Sequence, residues 1–454
     1  MTDASGRITV DELRSLVDSG AIDSVSIALT DMQGRLQGKR CSARWFLDEV
    51  LPHGGEACNY LLAVDVDMNT VDGYELSSWE RGYGDFALVP DLDTLTVLPW
   101  QDRSAFVHCD ARWADGTPVA VAPRQVLRRQ VERLAERGLV AFAGTELEFL
   151  LFDTPYDEAW RQTYRDLRPA NRYNVDYSLF GGAQVEPVLG AIRRGMEGAG
   201  LYVESVKGEC NLGQHEIAFR YDEALRTCDG HVLYKTGAKE IAGAHGHSLT
   251  FMSKFDEREG NSCHIHLSLR ADDGAAILAG DRPYGFSTTM EHFVAGQLAA
   301  LRELTLLLAP NVNSYKRYVP GSFAPTAVAW GLDNRTCALR VVGSGHSLRV
   351  ENRVPGGDVN PYLAVAALIA AGLHGIDHEL PLEPAFTGNA YRSAKPRVPS
   401  TLAEARALFA ASGIAKEAFG EEVVAHYVNC ADVELAAFNA AVTDWERVRG
   451  FERL

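Results

Sequence analysis

The sequence predicts an α+β protein in two units, a small mixed unit over residues 1–112 and a larger one over residues 113–454. Three observations carry this expectation. At 454 residues the chain exceeds what one hydrophobic core ordinarily organises. Helical and strand patterns are interspersed along its whole length. Four stretches after residue 112 are written alike, with ionisable side chains on one face of a strand and apolar ones on the other.

In chain order, Ile8 to Ser19 reads as a short amphipathic helix with Leu13 and Val17 at helical spacing. Ser24–Leu29 reads as a strand running into a hairpin-like turn at Asp31–Leu36, and Ala43–Leu51 as a helix. Short strands are expected at Phe86–Val89 and Leu95–Leu98 within a stretch rich in Gly, Asp and Pro. The Asp115-Gly-Thr-Pro118 turn precedes Pro123, a good first helical residue, and a helix over Gln125–Arg137 stops near Gly138. Residues Asp153–Phe180 are loop-rich, as a lid or a surface insertion. Helices follow at Glu186–Ala199, Gly230–Gly243 and Glu291–Ala309, and the tail from Ser400 is helical and amphipathic.

Hydrophobic residues make up 46% of the chain and charged residues 23%, the balance of a soluble globular protein. The net charge of −17 comes without a basic block, which excludes a nucleic-acid surface. Met1–Arg7 lacks the apolar core of a signal peptide. The most apolar run, Tyr362–Leu373, is too short for the roughly 20 residues of a membrane-spanning helix and reads as a buried one. Eight scattered cysteines form no CxxC pair and no zinc spacing, as expected of reduced thiols in a cytoplasmic protein.

The four polar strands are Thr145-Glu146-Leu-Glu148-Phe149, Glu216-Ile-Ala-Phe-Arg220, Cys263-His264-Ile-His266-Leu-Ser268 and Arg349-Val-Glu351-Asn-Arg353. A half-buried strand ordinarily points such a row at water. Four of them in one unit read as the walls of a polar cavity suited to a metal–phosphate site. No Walker A loop and no GxGxxG unit is present, so a bound nucleotide would be held through divalent cations on carboxylates. Glu146, Glu148, Glu209, Glu216, Glu351 and His264 are the candidates, a hard donor set with one imidazole that suits Mg²⁺ or Mn²⁺. Arg317, Arg335, Arg340, Arg349 and Arg353 would balance those acids and fork onto carboxylate or phosphate. Taken one at a time, the same arginines also fit salt bridges within a sheet wall.

Together with Gly208-Glu209, Gly213-Gln-His-Glu216-Ile, Asn313-Ser-Tyr-Lys-Arg317-Tyr-Val-Pro-Gly321 and Asn334-Arg335, these motifs resemble glutamine synthetase in order and spacing from about Asp31 to the end. Within that superfamily the chain is most similar to the γ-glutamylamine ligases, which join glutamate to ethanolamine, polyamines or similar amines. The resemblance implies a β-grasp-like N-terminal domain, a catalytic domain with a curved antiparallel sheet, and a dodecamer of two stacked hexameric rings. It implies two to three Mg²⁺ or Mn²⁺ ions per site, one on Glu148, Glu209 and Glu216 and another on Glu146, His264 and Glu351. ATP would contact His266, Ser268 and Arg340, with the catalytic Arg335 on the transferring phosphate. Gly260, Arg317 (also catalytic) and Arg353 would hold glutamate. The product would be a γ-glutamylamide, with ADP and phosphate.

Two departures bear on the amine. Where glutamine synthetases carry a Glu soon after the NSYKR signature, this chain has Phe323, which offers an ammonium ion only a ring face. Glu259 stands where the family has an Asn. The pocket is expected to be reshaped for a larger, partly apolar primary amine, the alternative being that Glu259 takes the place of the missing acid. The resemblance implies a first-domain loop donated to a neighbouring subunit's site, which Asp72-Gly73 or the Ser77-Ser-Trp-Glu80 segment would supply, with Asp72 as the acid. No tyrosine loop for adenylylation is discernible. An ammonia-using glutamine synthetase and a non-catalytic scaffold or nitrogen sensor remain as alternatives. A guanidino kinase is disfavoured by the NSYKR and GQHEI signatures.

Overall fold

The computed structural model describes residues 6–454, so most of the Met1–Arg7 stretch read for a signal peptide lies outside the described residues. The first helix, Val10–Asp18, is closed by a capping box between Thr9 and Glu12 and buries Leu13 and Val17. Strands β1 (Ser24–Thr30) and β2 (Leu36–Ser42) form the expected hairpin. Its turn is fixed by Asp31, whose carboxylate accepts from the backbone N–H of Gln33 at 3.0 Å and of Arg35 at 2.8 Å. Gly34 takes the positive φ of 78° that the turn requires.

The helix expected at Ala43–Leu51 runs from Ala43 to His53, with a π-helical stretch at Phe46–Val50. Strands β3 (Gly55–Cys58), β4 (Asp85–Pro90), β5 (Thr96–Val97) and β6 (Ser104–Arg112) complete a six-stranded mixed sheet of order β2-β1-β6-β4-β3, with β5 on β6. The parallel pairing of β1 with β6 gives it the β-grasp-like centre. Strand β6 has no counterpart in the sequence reading. Eight of its nine residues are buried, so no alternation of polar and apolar groups announces it.

The second sheet has nine strands. Its backbone is β7 (Leu139–Phe152), β8 (Val203–Gly208), β9 (Gln214–Phe219), β10 (Asp222–Glu223), β11 (Ser248–Thr250) and β12 (Cys263–Ala271). A short β13 (Ala279–Arg282) stands outside it, and β14 (Trp330–Leu332), β15 (Leu339–Val342) and β16 (Arg349–Asn352) close one edge. The order is β14-β15-β16-β12-β7-β9-β8, antiparallel throughout except for the parallel edge pair β14–β15. The four polar strands of the sequence reading are thus the adjacent central strands β16, β12, β7 and β9.

Helices back this sheet. The apolar run expected to be a buried helix is Pro361–Asp377, packed against Thr288–Leu308 and Pro123–Ala135. The helix expected from Gly230 starts earlier, at Ala224, without a side-chain cap to signal it. Arg124 ties the sheets together. Its buried guanidinium binds Asp91 and Asp110 at 2.6 Å each and Asp229 at 2.9 Å, and Asp229 also accepts from Tyr362 Oη at 2.6 Å. The Asp153–Phe180 stretch is mostly loop, with a short helix at Tyr156–Arg161 and the start of another, Leu179–Ala183, at its end. The tail forms helices at Leu402–Ala411, Gly413–Phe419, Glu421–Ala440 and Asp444–Gly450. All eight cysteines are unpaired. Among the described residues no helix is long and apolar enough to cross a membrane.

Candidate active site

Strand register assembles the site. His264 lies opposite Glu146, Glu148 opposite Glu216, and His266 opposite Glu351. Cross-strand partners share a face, so the acids of β7, β9 and β16 and the histidines of β12 converge over one side of the sheet. Glu209 joins from the turn after β8, its backbone N–H held by Gln214 O at 2.9 Å. The result is a cavity of about 450 Å³ that brings together all six predicted metal ligands. Gly260, Arg317, Arg335, Arg340, Arg353, Phe323 and Glu259 line it too.

The donors fall into two clusters. Ligand atoms of Glu148, Glu209 and Glu216 lie within 4.8 Å of one another, as do those of Glu146, His266 and Glu351. His264 Nδ1 adjoins the second cluster, 3.3 Å from Glu146 and 3.5 Å from Glu351. Glu146 reaches both histidines, with His266 Nε2 at 2.9 Å. Burial opposes its charge, but the hydrogen bonds with His264 and His266 prevail and hold the carboxyl well below the ordinary range. Glu216 is the opposite case. Burial, aided by the nearby Glu146, lifts it to about 8 despite Lys207 3.8 Å away. So many carboxylates crowded together, with one held protonated at neutral pH, form a set whose repulsion divalent cations would relieve. The donor chemistry therefore fits hard cations.

Around this floor the cationic groups differ in freedom. Arg340 spans Glu351 at 2.7 Å and Asp333 at 2.5 Å, while Arg353 bonds Glu351. Arg317 donates to the carbonyls of Arg353 and Pro355 at 3.1 and 2.9 Å, and the buried Nε–H groups of Arg317 and Arg353 have no partner. Arg335 is exposed and makes no hydrogen bond or ion pair among the described residues. A Cβ at Gly260 would collide with the Ser253 carbonyl and the Arg317 side chain, so only glycine fits there.

Three predicted residues do not line this cavity. His266 and Ser268 face an adjoining cavity of about 280 Å³, with Arg349 Nε 3.1 Å from His266 Nδ1 and the Tyr221 ring and Arg270 on its wall. Asp72 lines neither cavity of its own chain, and its carbonyl is held by Asn429 at 3.0 Å. Arg220, read as aligned with Glu216, lies beyond the last residue of β9 and instead lines a separate cavity of about 790 Å³.

Several residues went unread in the sequence. Asp176 and Tyr177, from the loop-rich stretch, reach the cavity wall, and Lys207 stands among the acids with its Nζ 5.0 Å above the Tyr177 ring. Lys207 and Glu209, two apart at a strand end, were the available signal. Ser262 and Gln214 orient Glu148 through hydrogen bonds of 2.6–3.0 Å.

Comparison with known proteins agrees with this geometry. The family described as glutamine synthetase, catalytic domain, matches residues 120–449. The chain is 64% identical to the gamma-glutamylethanolamide synthetase of Streptomyces coelicolor over all of this chain and 98% of that protein. It is 36% identical to a glutamate–isopropylamine ligase of a Pseudomonas species, over 96% of this chain and 97% of the other. Among solved structures, the GmaS/ADP complex superposes with a TM-score of 0.85 at 28% identity, covering 97% of this chain and 99% of that one. On this combined match of sequence, fold and polar strands, the chain belongs to the glutamine synthetase family.

Proposed function

We propose that the protein is an ATP-dependent glutamate–amine ligase that forms γ-glutamylamides from a primary amine of the ethanolamine or polyamine type. The observation that carries this reading is the pairing of a carboxylate–histidine cavity suited to cations with Phe323 on its wall, in a chain this similar to a gamma-glutamylethanolamide synthetase.

A carboxylate is a poor acyl donor until one of its oxygens can leave as phosphate. The γ-carboxylate of glutamate therefore attacks the γ-phosphorus of ATP and ADP leaves. The amine nitrogen then attacks the resulting acyl phosphate, inorganic phosphate leaves, and one amine proton must be taken up. Glu148, Glu209 and Glu216 would hold one Mg²⁺ or Mn²⁺, and Glu146, His264 and Glu351 another, two to three ions per site in all. When bound, such ions supply Lewis-acid neutralisation of phosphoryl charge.

The chain's own groups do the rest. His266, Ser268 and Arg340 bind the triphosphate, and the Tyr221 ring and Arg270 offer flat surfaces for the base. Arg335, with no partner of its own, neutralises the transferring phosphoryl group. Arg317 and Arg353 orient glutamate from the cavity wall, and Gly260 lines it beside them, its missing side chain letting Arg317 pack closely against the backbone. Asp176 and Glu259 are the cavity carboxylates left over to take the proton of the amine.

The proposal extends to a dodecamer of two hexameric rings in which Asp72 serves a neighbour's site. Trp445 and Phe451 of the C-terminal segment are 67% and 89% exposed, apolar surface that a neighbouring subunit would cover. A cytoplasmic setting, where ATP and glutamate are abundant, belongs to the same reading.

The test is phosphate release with ATP, Mg²⁺ and glutamate against ammonium, ethanolamine, putrescine, spermidine and small alkylamines, with mass spectrometry of products. A γ-glutamylamide from one amine with little glutamine supports the reading. Efficient glutamine formation would replace it with an ammonia-using enzyme. No turnover by folded, metal-loaded protein would favour a sensor or scaffold.

A further inference from the structure

Outside the active site, a second group of metal-ligating side chains stands at the far end of the Pro361–Asp377 helix. His374 occupies the last turn of this helix and His378 is its C-cap. Glu417 comes from a different helix, Gly413–Phe419. Ligand atoms of the three residues lie within 4.8 Å of one another, and none of the three lines the catalytic cavity. Two histidines four apart project from one face of a helix, which is the spacing that lets both imidazoles reach one ion.

Three details favour ligation over a chance cluster. His378 Nδ1 lies 3.0 Å from the carbonyl oxygen of His374. A carbonyl only accepts, so Nδ1 carries the hydrogen and Nε2 presents its lone pair outward. Metal-binding histidines are commonly oriented by such a bond from the other ring nitrogen. His374 Nδ1 is buried and has no hydrogen-bond partner, with the two ring centroids 4.2 Å apart. Glu417 makes no hydrogen bond or ion pair among the described residues, since the neighbouring Lys416 turns to Glu421 at 3.4 Å.

Histidines at a helix C-terminus also interact favourably with the helix dipole when protonated. That role does not account for an unpaired acid brought up from a second helix, nor for two imidazoles stacked closely enough to repel as cations.

We propose that His374, His378 and Glu417 form a divalent transition-metal site that joins the C-terminal end of the Pro361–Asp377 helix to the Gly413–Phe419 helix. Two imidazoles and one carboxylate select Zn²⁺ and its borderline neighbours Co²⁺ and Ni²⁺ over Mg²⁺, and leave a fourth tetrahedral position for water. The ion pins the tail against the buried helix and stabilises that junction. The site is separate from the catalytic cations in both ligand chemistry and position.

The test is calorimetric titration of the full-length protein with Zn²⁺ in excess Mg²⁺. Wild type is compared with His378→Gln, His374→Gln, Glu417→Gln and the active-site variant Glu148→Gln. The expected result is one Zn²⁺ per chain that persists in Glu148→Gln and disappears in His378→Gln and His374→Gln. In Glu417→Gln its affinity drops roughly tenfold or more. His378 and Glu417 are exposed, so their variants fold, and Zn²⁺ should raise the melting temperature of wild type and Glu148→Gln but not of His378→Gln or His374→Gln. Co²⁺ should give the visible bands of a tetrahedral complex in wild type and not in His378→Gln. The same Zn²⁺ stoichiometry in wild type and His378→Gln, or no Zn²⁺ beyond what Glu148→Gln loses, would overturn the proposal.

Discussion

At the floor of the cavity, Glu148 accepts hydrogen bonds from Ser262 N at 2.8 Å, Ser262 Oγ at 2.6 Å and Gln214 Nε2 at 3.0 Å. Both carboxylate oxygens are thereby aimed before any cation arrives. Glu148→Gln keeps the shape and removes the charge. Phosphate release should fall roughly a hundredfold or more, because Lewis-acid help to phosphoryl transfer is worth several kcal/mol. The melting temperature should move little; near-normal turnover would sink the assignment of Glu148 as a ligand. Glu148→Ala is the blunter change, since it strands buried donors on Ser262 and Gln214 at about 1–3 kcal/mol each. Phe323 lines the same cavity with φ of 58°, a conformation that a bulky side chain adopts at a cost of about 1–3 kcal/mol. The residue is 57% exposed. Phe323→Glu should shift the ratio of ammonium to alkylamine turnover roughly tenfold toward ammonium, about 1.4 kcal/mol of preference. An unchanged amine profile would locate the selectivity on Asp176, Tyr177 or Glu259 instead. The acids and histidines of this site were readable because period-two alternation fixes which side chains share a face. Asp176 and Tyr177 were not, because a loop residue's reach depends on how the chain folds back over the sheet.

Among the elements, the helix at Pro123 was legible from the proline at its start, and the Pro361–Asp377 helix from its unbroken apolar run. Strand β6 and the first turns of the Ala224 helix were hidden for the opposite reason: burial on both faces erases periodicity, and an uncapped start leaves no mark. The junction of the two sheets could not be read at all, since Asp91, Asp110, Arg124 and Asp229 come from four separate elements. Arg124 is 4% exposed there, and its charge is held firmly by Asp229 and Asp110 despite burial. Such a group gives little net stability relative to an apolar isostere, but removing one partner leaves uncompensated buried charge. Arg124→Met should therefore cost about 3–5 kcal/mol in urea unfolding. It should also hasten proteolysis between β6 and the Pro123–Ala135 helix. Near-wild-type stability would mean that Arg128, which reaches Asp110 at 3.0 Å and Asp91 at 3.4 Å, suffices as countercharge.

Across the whole molecule, the tail closes on the beginning of the chain through His426. This residue of the Glu421–Ala440 helix places Nε2 2.9 Å from Met32 Sδ, and its ring centroid is 4.6 Å from that of Tyr74. Burial depresses His426 to about 3, although a hydrogen bond with the Leu62 backbone works in the other direction. The folded protein therefore keeps this imidazole neutral, whereas the unfolded chain protonates it near pH 6.5. Above that pH neither state binds the proton and stability is independent of this group. Below it only the unfolded chain gains a proton. Stability then falls as pH drops from about 6.5 toward about 3, at about 1.4 kcal/mol per pH unit for this one side chain. His426→Gln will lose packing at every pH, so the diagnostic quantity is the slope. The wild-type advantage in urea midpoint should shrink steadily as the pH is lowered below about 6.5, because the variant has no imidazole to protonate. A difference that stays constant down to about pH 4.5 would show that His426 is already charged in the folded state. Acid would in that case act elsewhere than at the contact between the tail and the N-terminal sheet.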